Sequence, residues 1–232
     1  MQVAILAGGL ATRLRPISGT TPKSMVLIEG KPFLEYQIEF LKRAGITDLV
    51  LCVGYLSEKI ERYFGDGHKF GVTITYSYDG NNFLGTAGAL KRAESLLKEY
   101  FFVIYGDSYL FLDFQEVYAN FRKSNTLALM VVYKNNNLYD LSNVAIENGM
   151  ISRYDKTNTT GDLRYIDYGT LIFGKHVMDL IPPDQMYPLE RVIVDLILQR
   201  EISAFEATER FYEIGSHKGM DEFRQYIQKK NG

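Results

Sequence analysis

The sequence has no tryptophan, one cysteine, three histidines and six prolines in 232 residues, and the scarcity of cysteine and of histidine each removes a class of reading. A single thiol, Cys52, excludes an internal disulfide, and its place in Leu49-Val50-Leu51-Cys52-Val53 makes it a small apolar filler of a buried strand. His68, His176 and His217 lie far apart without HxxxH or HExxH spacing, so no zinc centre is expected. Nothing resembling GxSxG surrounds Ser108, which argues against a serine-hydrolase elbow. The net charge of −2 leaves no general attraction for nucleic acid or anionic membranes, so a basic site must be local. No apolar run reaches the roughly 18 residues of a membrane span, and the first strand is too short and uncharged for a signal peptide. These features predict a cytoplasmic protein that binds neither nucleic acid nor membrane.

What is present is a 46% hydrophobic chain without low-complexity tracts, enough to bury the core of one domain, 1–232. Apolar runs alternate with helix-period segments through the first half, the pattern of βαβ units. The expectation is an α/β protein: a Rossmann-like three-layer fold with a mixed, mostly parallel central sheet and a small antiparallel acceptor lobe. Strands are predicted at 3–6, 49–53, 72–76 and 101–105. Between them come helices at 33–44, stopped by Gly45, at 57–64, capped by Ser57, and at 86–97, capped by Thr86. Further on, a strand over 127–133 precedes a hairpin of 144–146 and 150–154 around Asn148-Gly149. A strand over 165–173 and helices over 189–199 and 220–229 follow, and no internal repeat is visible.

The first strand runs into Leu6-Ala7-Gly8-Gly9-Leu10-Ala11-Thr12-Arg13-Leu14-Arg15-Pro16. Paired glycines let backbone N–H groups approach a ligand closely, and Arg13 and Arg15 offer planar guanidinium forks. Thr12 adds a hydroxyl, and Lys23, after Thr21-Pro22, adds a mobile ammonium; the set suits a polyphosphate. Two adjacent glycines also describe an ordinary turn, and neither GxxxxGK[ST] nor GxGxxG is present, so the site would be of another kind. The apolar run 101–105 stops at Gly106-Asp107. Ligands of open α/β sheets gather beyond the carboxyl ends of strands, so the loops after Leu6 and Tyr105 should face one crevice. Asp107 at such a strand mouth suits Mg²⁺, which favours one or two carboxylates plus phosphate oxygens; a solvated loop aspartate is the alternative.

Leu-Ala-Gly-Gly-x-x-Thr-Arg-Leu-x-Pro followed by Pro22-Lys23 resembles the entry motif of sugar-1-phosphate nucleotidylyltransferases. The resemblance continues through Gly30-Lys31-Pro32, Leu84-Gly85-Thr86-Ala87-Gly88, Gly106-Asp107, Asp155-Lys156, Asp167-Tyr168-Gly169, Leu189-Glu190 and Tyr212-Glu213-Ile214-Gly215. It is strongest to the compact group of heptose-1-phosphate guanylyltransferases and N-acetylmuramate-1-phosphate uridylyltransferases. The resemblance implies an Mg²⁺-dependent transfer of a nucleotidyl group from an NTP to a sugar 1-phosphate, with GTP and a heptose 1-phosphate as one pairing. Arg13, Lys23 and Asp107 would be catalytic, and Leu6, Ala7, Gly8, Gly9, Thr12, Arg13, Gly85, Thr86 and Ala87 would hold the nucleotide. Asn143, Lys156, Asp167, Gly169 and Glu190 would meet the sugar phosphate, and Asp107 with Glu213 would hold the metal. Residues 1–125 would thus serve mainly the NTP, and residues 126–232 mainly the acceptor.

Three departures matter. The resemblance leads one to expect aspartate at position 213, asparagine at 167 and glutamate at 155, where this chain has Glu213, Asp167 and Asp155. Hexapeptide repeats of a trimerising β-helix are absent, although a homo-oligomer stays compatible. The altered positions keep open a cytidylyltransferase acting on phosphocholine or a phosphonate, and a non-catalytic nucleotide-sensing subunit. A glycosyltransferase of related fold is disfavoured, because Asp107-Ser108-Tyr109 lacks the second aspartate of Asp-x-Asp.

Overall fold

The computed structural model describes residues 1–9, 21–80 and 83–231. In chain order these form β1 (Gln2–Leu6), β2 (Leu27–Ile28), β3 (Lys31–Pro32), α1 (Phe33–Arg43), β4 (Asp48–Val53), α2 (Ser57–Phe64) and β5 (Thr73–Tyr78). Next come α3 (Gly85–Arg92), β6 (Tyr100–Tyr105), β7 (Ser108–Tyr109), α4 (Phe114–Ser124), β8 (Ala128–Lys134), β9 (Val144–Glu147) and β10 (Met150–Tyr154). The chain ends with β11 (Tyr165–Gly174), α5 (Leu189–Gln199), β12 (Ile202–Ala207), β13 (Tyr212–Glu213) and α6 (His217–Asn231).

Nine strands make one sheet in the order β5-β4-β1-β6-β11-β8-β12-β10-β9. The predicted parallel arrangement holds from β5 through β6. Beyond it the pairing is mixed, because β11 runs antiparallel to both β6 and β8 while β12 lies parallel to β8. The expected hairpin forms as β9–β10, with Asn148 and Gly149 both at positive φ, as a tight two-residue turn requires. It does not stand apart as a lobe: β10 pairs with β12 and β9 reaches β11, so the hairpin completes the edge of the main sheet.

Period-two alternation distributes the core. Val3, Ile5, Leu49 and Leu51 point to one face, where they meet Leu34, Ile38 and Leu41 of α1, Ile60 of α2 and Val117 of α4. Ala4, Val50 and Cys52 point to the other, against Leu90 of α3 and Val192, Ile193 and Leu196 of α5. The result is the expected three layers, and burial pushes the Cys52 thiol up to about 12, consistent with a packing role. A third cluster seats α6 on α1 and β7 through Phe33, Tyr36, Tyr109 and Phe223.

Two predicted caps are corrected. Ser57 is the first residue of α2, preceded by Leu56 in the left-handed region, and its N–H is engaged with the Gly54 carbonyl at 3.1 Å. Thr86 lies inside α3, whose N-cap is Leu84, and α3 ends at Arg92 before a 3-10 turn over Glu94–Leu96. Among the described residues no helix is long and apolar enough to cross a membrane.

Candidate active site

The carboxyl ends of β1 and β6 meet where the sequence suggested. The Gly106 N–H donates to the Leu6 carbonyl at 3.1 Å, and the Ala7 N–H donates to the Cys52 carbonyl at 2.9 Å. A Cβ on Gly106 would lie 2.8 Å from the Leu6 carbonyl oxygen, so only glycine permits this approach. Gln37, on the buried face of α1, fastens the turn around Asp107. Its Nε2 donates to the Tyr105 carbonyl at 2.9 Å and to the Ser108 carbonyl at 2.6 Å.

The short strands β7 and β13 pair antiparallel with Glu213 opposite Ser108, and the Ile214 N–H donates to the Asp107 carbonyl at 2.9 Å. This brings together two acidic residues more than a hundred positions apart. Lys23 forms an ion pair with Asp107, and its Nζ lies 3.8 Å from Glu213 Oε1. The two carboxylates therefore converge on one cation. A space between them that accepts positive charge, with carboxylate oxygens as the donors, fits Mg²⁺ supplemented by phosphate oxygens.

On the other side of β1, the turn into α3 is pinned to the segment before α5. Gly85 has φ +70°, and the Ala87 and Gly88 N–H groups donate to the Tyr187 carbonyl at 3.0 and 3.1 Å. Thr86 Oγ1 accepts from the Leu189 N–H at 2.8 Å, so this hydroxyl satisfies an orphan donor at the start of α5 rather than of its own helix.

The acceptor-side residues also cluster. Asp155 accepts from the Thr157 N–H at 2.8 Å and hydroxyl at 2.6 Å, which lowers its pKa and shapes the turn that presents Lys156. Lys156 pairs with Glu190 at the start of α5. Burial alone would raise the Glu190 carboxyl, but the Lys156 hydrogen bond, a backbone N–H and the Lys156 charge together outweigh it and hold the pKa below the ordinary value. Asp167 is buried. Its Oδ1 accepts from the Gly169 N–H at 2.9 Å, and its Oδ2 from the Tyr154 and Tyr105 hydroxyls at 3.2 and 3.4 Å. Burial raises the Asp167 pKa despite these donors and the Lys156 charge. Asn143 Oδ1 accepts from the Asp167 N–H at 2.8 Å, which ties β9 to β11.

These features surround one cleft of about 650 Å³. Leu6, Ala7, Gly8, Gly9, Lys23, Gly85, Thr86 and Asp107 line it from the first half of the chain. Asn143, Lys156, Asp167, Gly169 and Glu213 line it from the second. Two expected contacts are displaced: Ala87 is fully buried in the core beneath α3, and Glu190 stands behind Lys156 rather than on the wall. Thr12 and Arg13 lie outside the described residues. The profile of the family described as nucleotidyl transferase matches residues 2–227, nearly the whole sequence.

The chain belongs to the nucleotidyl transferase family. A UTP–glucose-1-phosphate uridylyltransferase of Synechocystis sp. is 33% identical to this chain over 205 residues, 82% of this chain and 53% of that protein. A D-glycero-alpha-D-manno-heptose 1-phosphate guanylyltransferase of Campylobacter jejuni is 41% identical over 120 residues, 52% of this chain and 53% of that protein. The chain spans about half the length of these curated relatives. Among solved structures, HddC from Yersinia pseudotuberculosis complexed with GMP-PN superposes with a TM-score of 0.82 at 27% identity, covering 97% of this chain and 99% of that one.

Sequence reasoning missed several residues of the cleft wall: Asp79, Phe83, Tyr105, Tyr154 and Phe211, with Gln37 behind them. Asp79 was the most accessible to inference, since it follows β5 directly and the strand-end rule applies there as it does at Leu6 and Tyr105.

Proposed function

We propose that the protein transfers a nucleotidyl group from an NTP to a sugar 1-phosphate, giving an NDP-sugar and pyrophosphate. The observation that carries this reading is the shared cleft, in which the glycine turn after β1, the Lys23–Asp107–Glu213 group and Lys156, backed by Glu190, face one volume. An acceptor phosphate oxygen attacks the α-phosphorus as the bond to pyrophosphate breaks. That oxygen is already ionised at neutral pH, so the reaction needs alignment and charge neutralisation rather than a base. Lys23 supplies positive charge at the reacting phosphoryl group, and Arg13 would grip the triphosphate. Lys156 meets the acceptor phosphate at the far side of the cleft. Asp107 and Glu213 would hold Mg²⁺, which when bound neutralises phosphate charge and polarises the phosphorus centre. An NTP substrate is consistent with action in the cytoplasm.

The relatives include uridylyl and guanylyl enzymes, so GTP with a heptose 1-phosphate is the first pairing to test. The test is a grid of NTPs against hexose, heptose and amino-sugar 1-phosphates, scored by pyrophosphate release with and without Mg²⁺. We expect release from one pairing, dependent on Mg²⁺, and a loss of about a hundredfold or more in Asp107→Asn. Release with CTP and phosphocholine or a phosphonate would reassign the acceptor. No release from any pairing would favour a nucleotide sensor.

A further inference from the structure

The order of strands places the parts of the cleft in a row. Asp79 follows β5 at one edge, the glycine turn follows β1, Asp107 follows β6, and Lys156 and Asp167 come from the β10 and β11 side. Between β5 and β6 lie three inter-strand spacings, about 14 Å. That separation suits an extended nucleoside triphosphate with its phosphates at the exits of β1 and β6 and its base towards β5.

At the base end stands a carboxylate with unused acceptor capacity. Asp79 Oδ2 lies 3.1 Å from where a Cβ on Gly54 would be and 3.4 Å from that on Gly8, so both backbone turns pass directly beneath it. The Asp79 N–H is fixed by the Val53 carbonyl at 2.9 Å, which holds the residue at the strand exit. Among the described residues its side chain makes no hydrogen bond, and the neighbouring cation, Arg92, is paired with Asp184 at 3.0 Å. Phe83 is 60% exposed and lines the same cleft, offering an aromatic face to a planar ring.

A carboxylate accepts and does not donate, so it selects a partner edge with adjacent donors. Guanine presents its N1–H beside its N2 amine, two donors matched to the two oxygens. Uracil and thymine place one N–H between two carbonyls, which a carboxylate repels. Adenine and cytosine offer an amine beside an unprotonated ring nitrogen, again an acceptor facing an acceptor.

We propose that Asp79 selects guanine, its carboxylate taking the N1–H and N2 amine of GTP at the β5 end of the cleft. The assignment rests on the nucleotidyl-transfer reading and adds to it a base and the residue that reads it. Inosine triphosphate, which lacks only the exocyclic amine, isolates the contact. The experiment compares GTP, ITP, UTP, CTP and ATP with wild type and Asp79→Asn, both by direct binding without acceptor and by kcat/KM for pyrophosphate release. Wild type should prefer GTP to ITP by about tenfold and reject UTP more strongly, as expected when a paired charged hydrogen bond is lost. In Asp79→Asn the GTP-to-ITP ratio should collapse toward one, with the melting temperature reporting that the variant is folded. Equal use of GTP and ITP by wild type, preference for another base, or an unchanged ratio in Asp79→Asn overturns the assignment. Guanine-selective binding without pyrophosphate release from any acceptor would overturn the transfer reading and leave the base assignment standing. No binding of any nucleotide would end both.

Discussion

Replacing Asp79 by asparagine is expected to stabilise the protein at neutral pH even as it weakens the grip on guanine. Burial at the exit of β5, only partly offset by the Arg92 charge, raises the Asp79 pKa from 3.8 to about 6. The unfolded chain ionises this group near the ordinary value, whereas the folded protein keeps the proton up to about pH 6. Below about pH 4 both states are protonated and Asp79 costs nothing. Between about pH 4 and pH 6 the unfolded chain alone gives up its proton, so stability is withdrawn progressively, and above that the whole penalty stands. At full weight the rise corresponds to about 3 kcal/mol. The carboxylate faces solvent in the cleft, and screening brings the penalty down to about 1 kcal/mol. Asparagine is neutral throughout and escapes it. Urea unfolding of wild type and Asp79→Asn near pH 4, pH 5 and pH 7.5 reads the difference as a midpoint shift at constant m-value. The advantage of the variant should be absent near pH 4 and level off above about pH 6. A gain of equal size at every pH, or a less stable variant at neutral pH, would refute the reasoning. The predicted exchange of stability for recognition is a common property of sites that hold a charge ready for a ligand.

Two further substitutions probe other parts of the site. Arg13→Ala should lower turnover by about a hundredfold or more, the scale of losing one charge-stabilising donor, and normal pyrophosphate release would remove Arg13 from the catalytic set. Thr86→Val keeps the side-chain shape but deletes the acceptor of the Leu189 N–H. It should cost about 1 kcal/mol in unfolding, with faster hydrogen exchange at Leu189, and an unchanged Leu189 amide would show that the cap contributes nothing.

The site was readable in the sequence wherever its chemistry lies in a continuous stretch. Leu6 to Gly9 and Gly106-Asp107 each end an apolar strand, and such a run announces both its own burial and the point where its loop leaves the sheet. Lys156 was likewise marked by the motif around it. The roles of Thr86 and Glu190 were not, because a side chain's hydrogen-bonding partner depends on which element stands opposite. Thr86 has the composition of a cap for α3 and in fact caps α5, 103 positions away. Asp167 lines the cleft, but the donors that hold its carboxylate, the Tyr105 and Tyr154 hydroxyls and the Gly169 N–H, are visible only once β6, β10 and β11 are placed.

From the sequence alone came the α/β class, the three layers, most of the strands and helices, and a glycine turn beside a carboxylate at neighbouring strand ends. These follow from periodicity, glycine placement and side-chain chemistry, all of which act locally. The tertiary structure decided that β12 enters between β8 and β10, that the hairpin closes the sheet, and that β13 carries Glu213 to Asp107. It also decided that Asp79 and Lys156 stand at opposite ends of one cleft. A period of two tells each side chain which face of a strand it takes, but not which strand lies alongside. That choice is made by packing the whole sheet between its helices, and it sets the distances on which the chemistry depends.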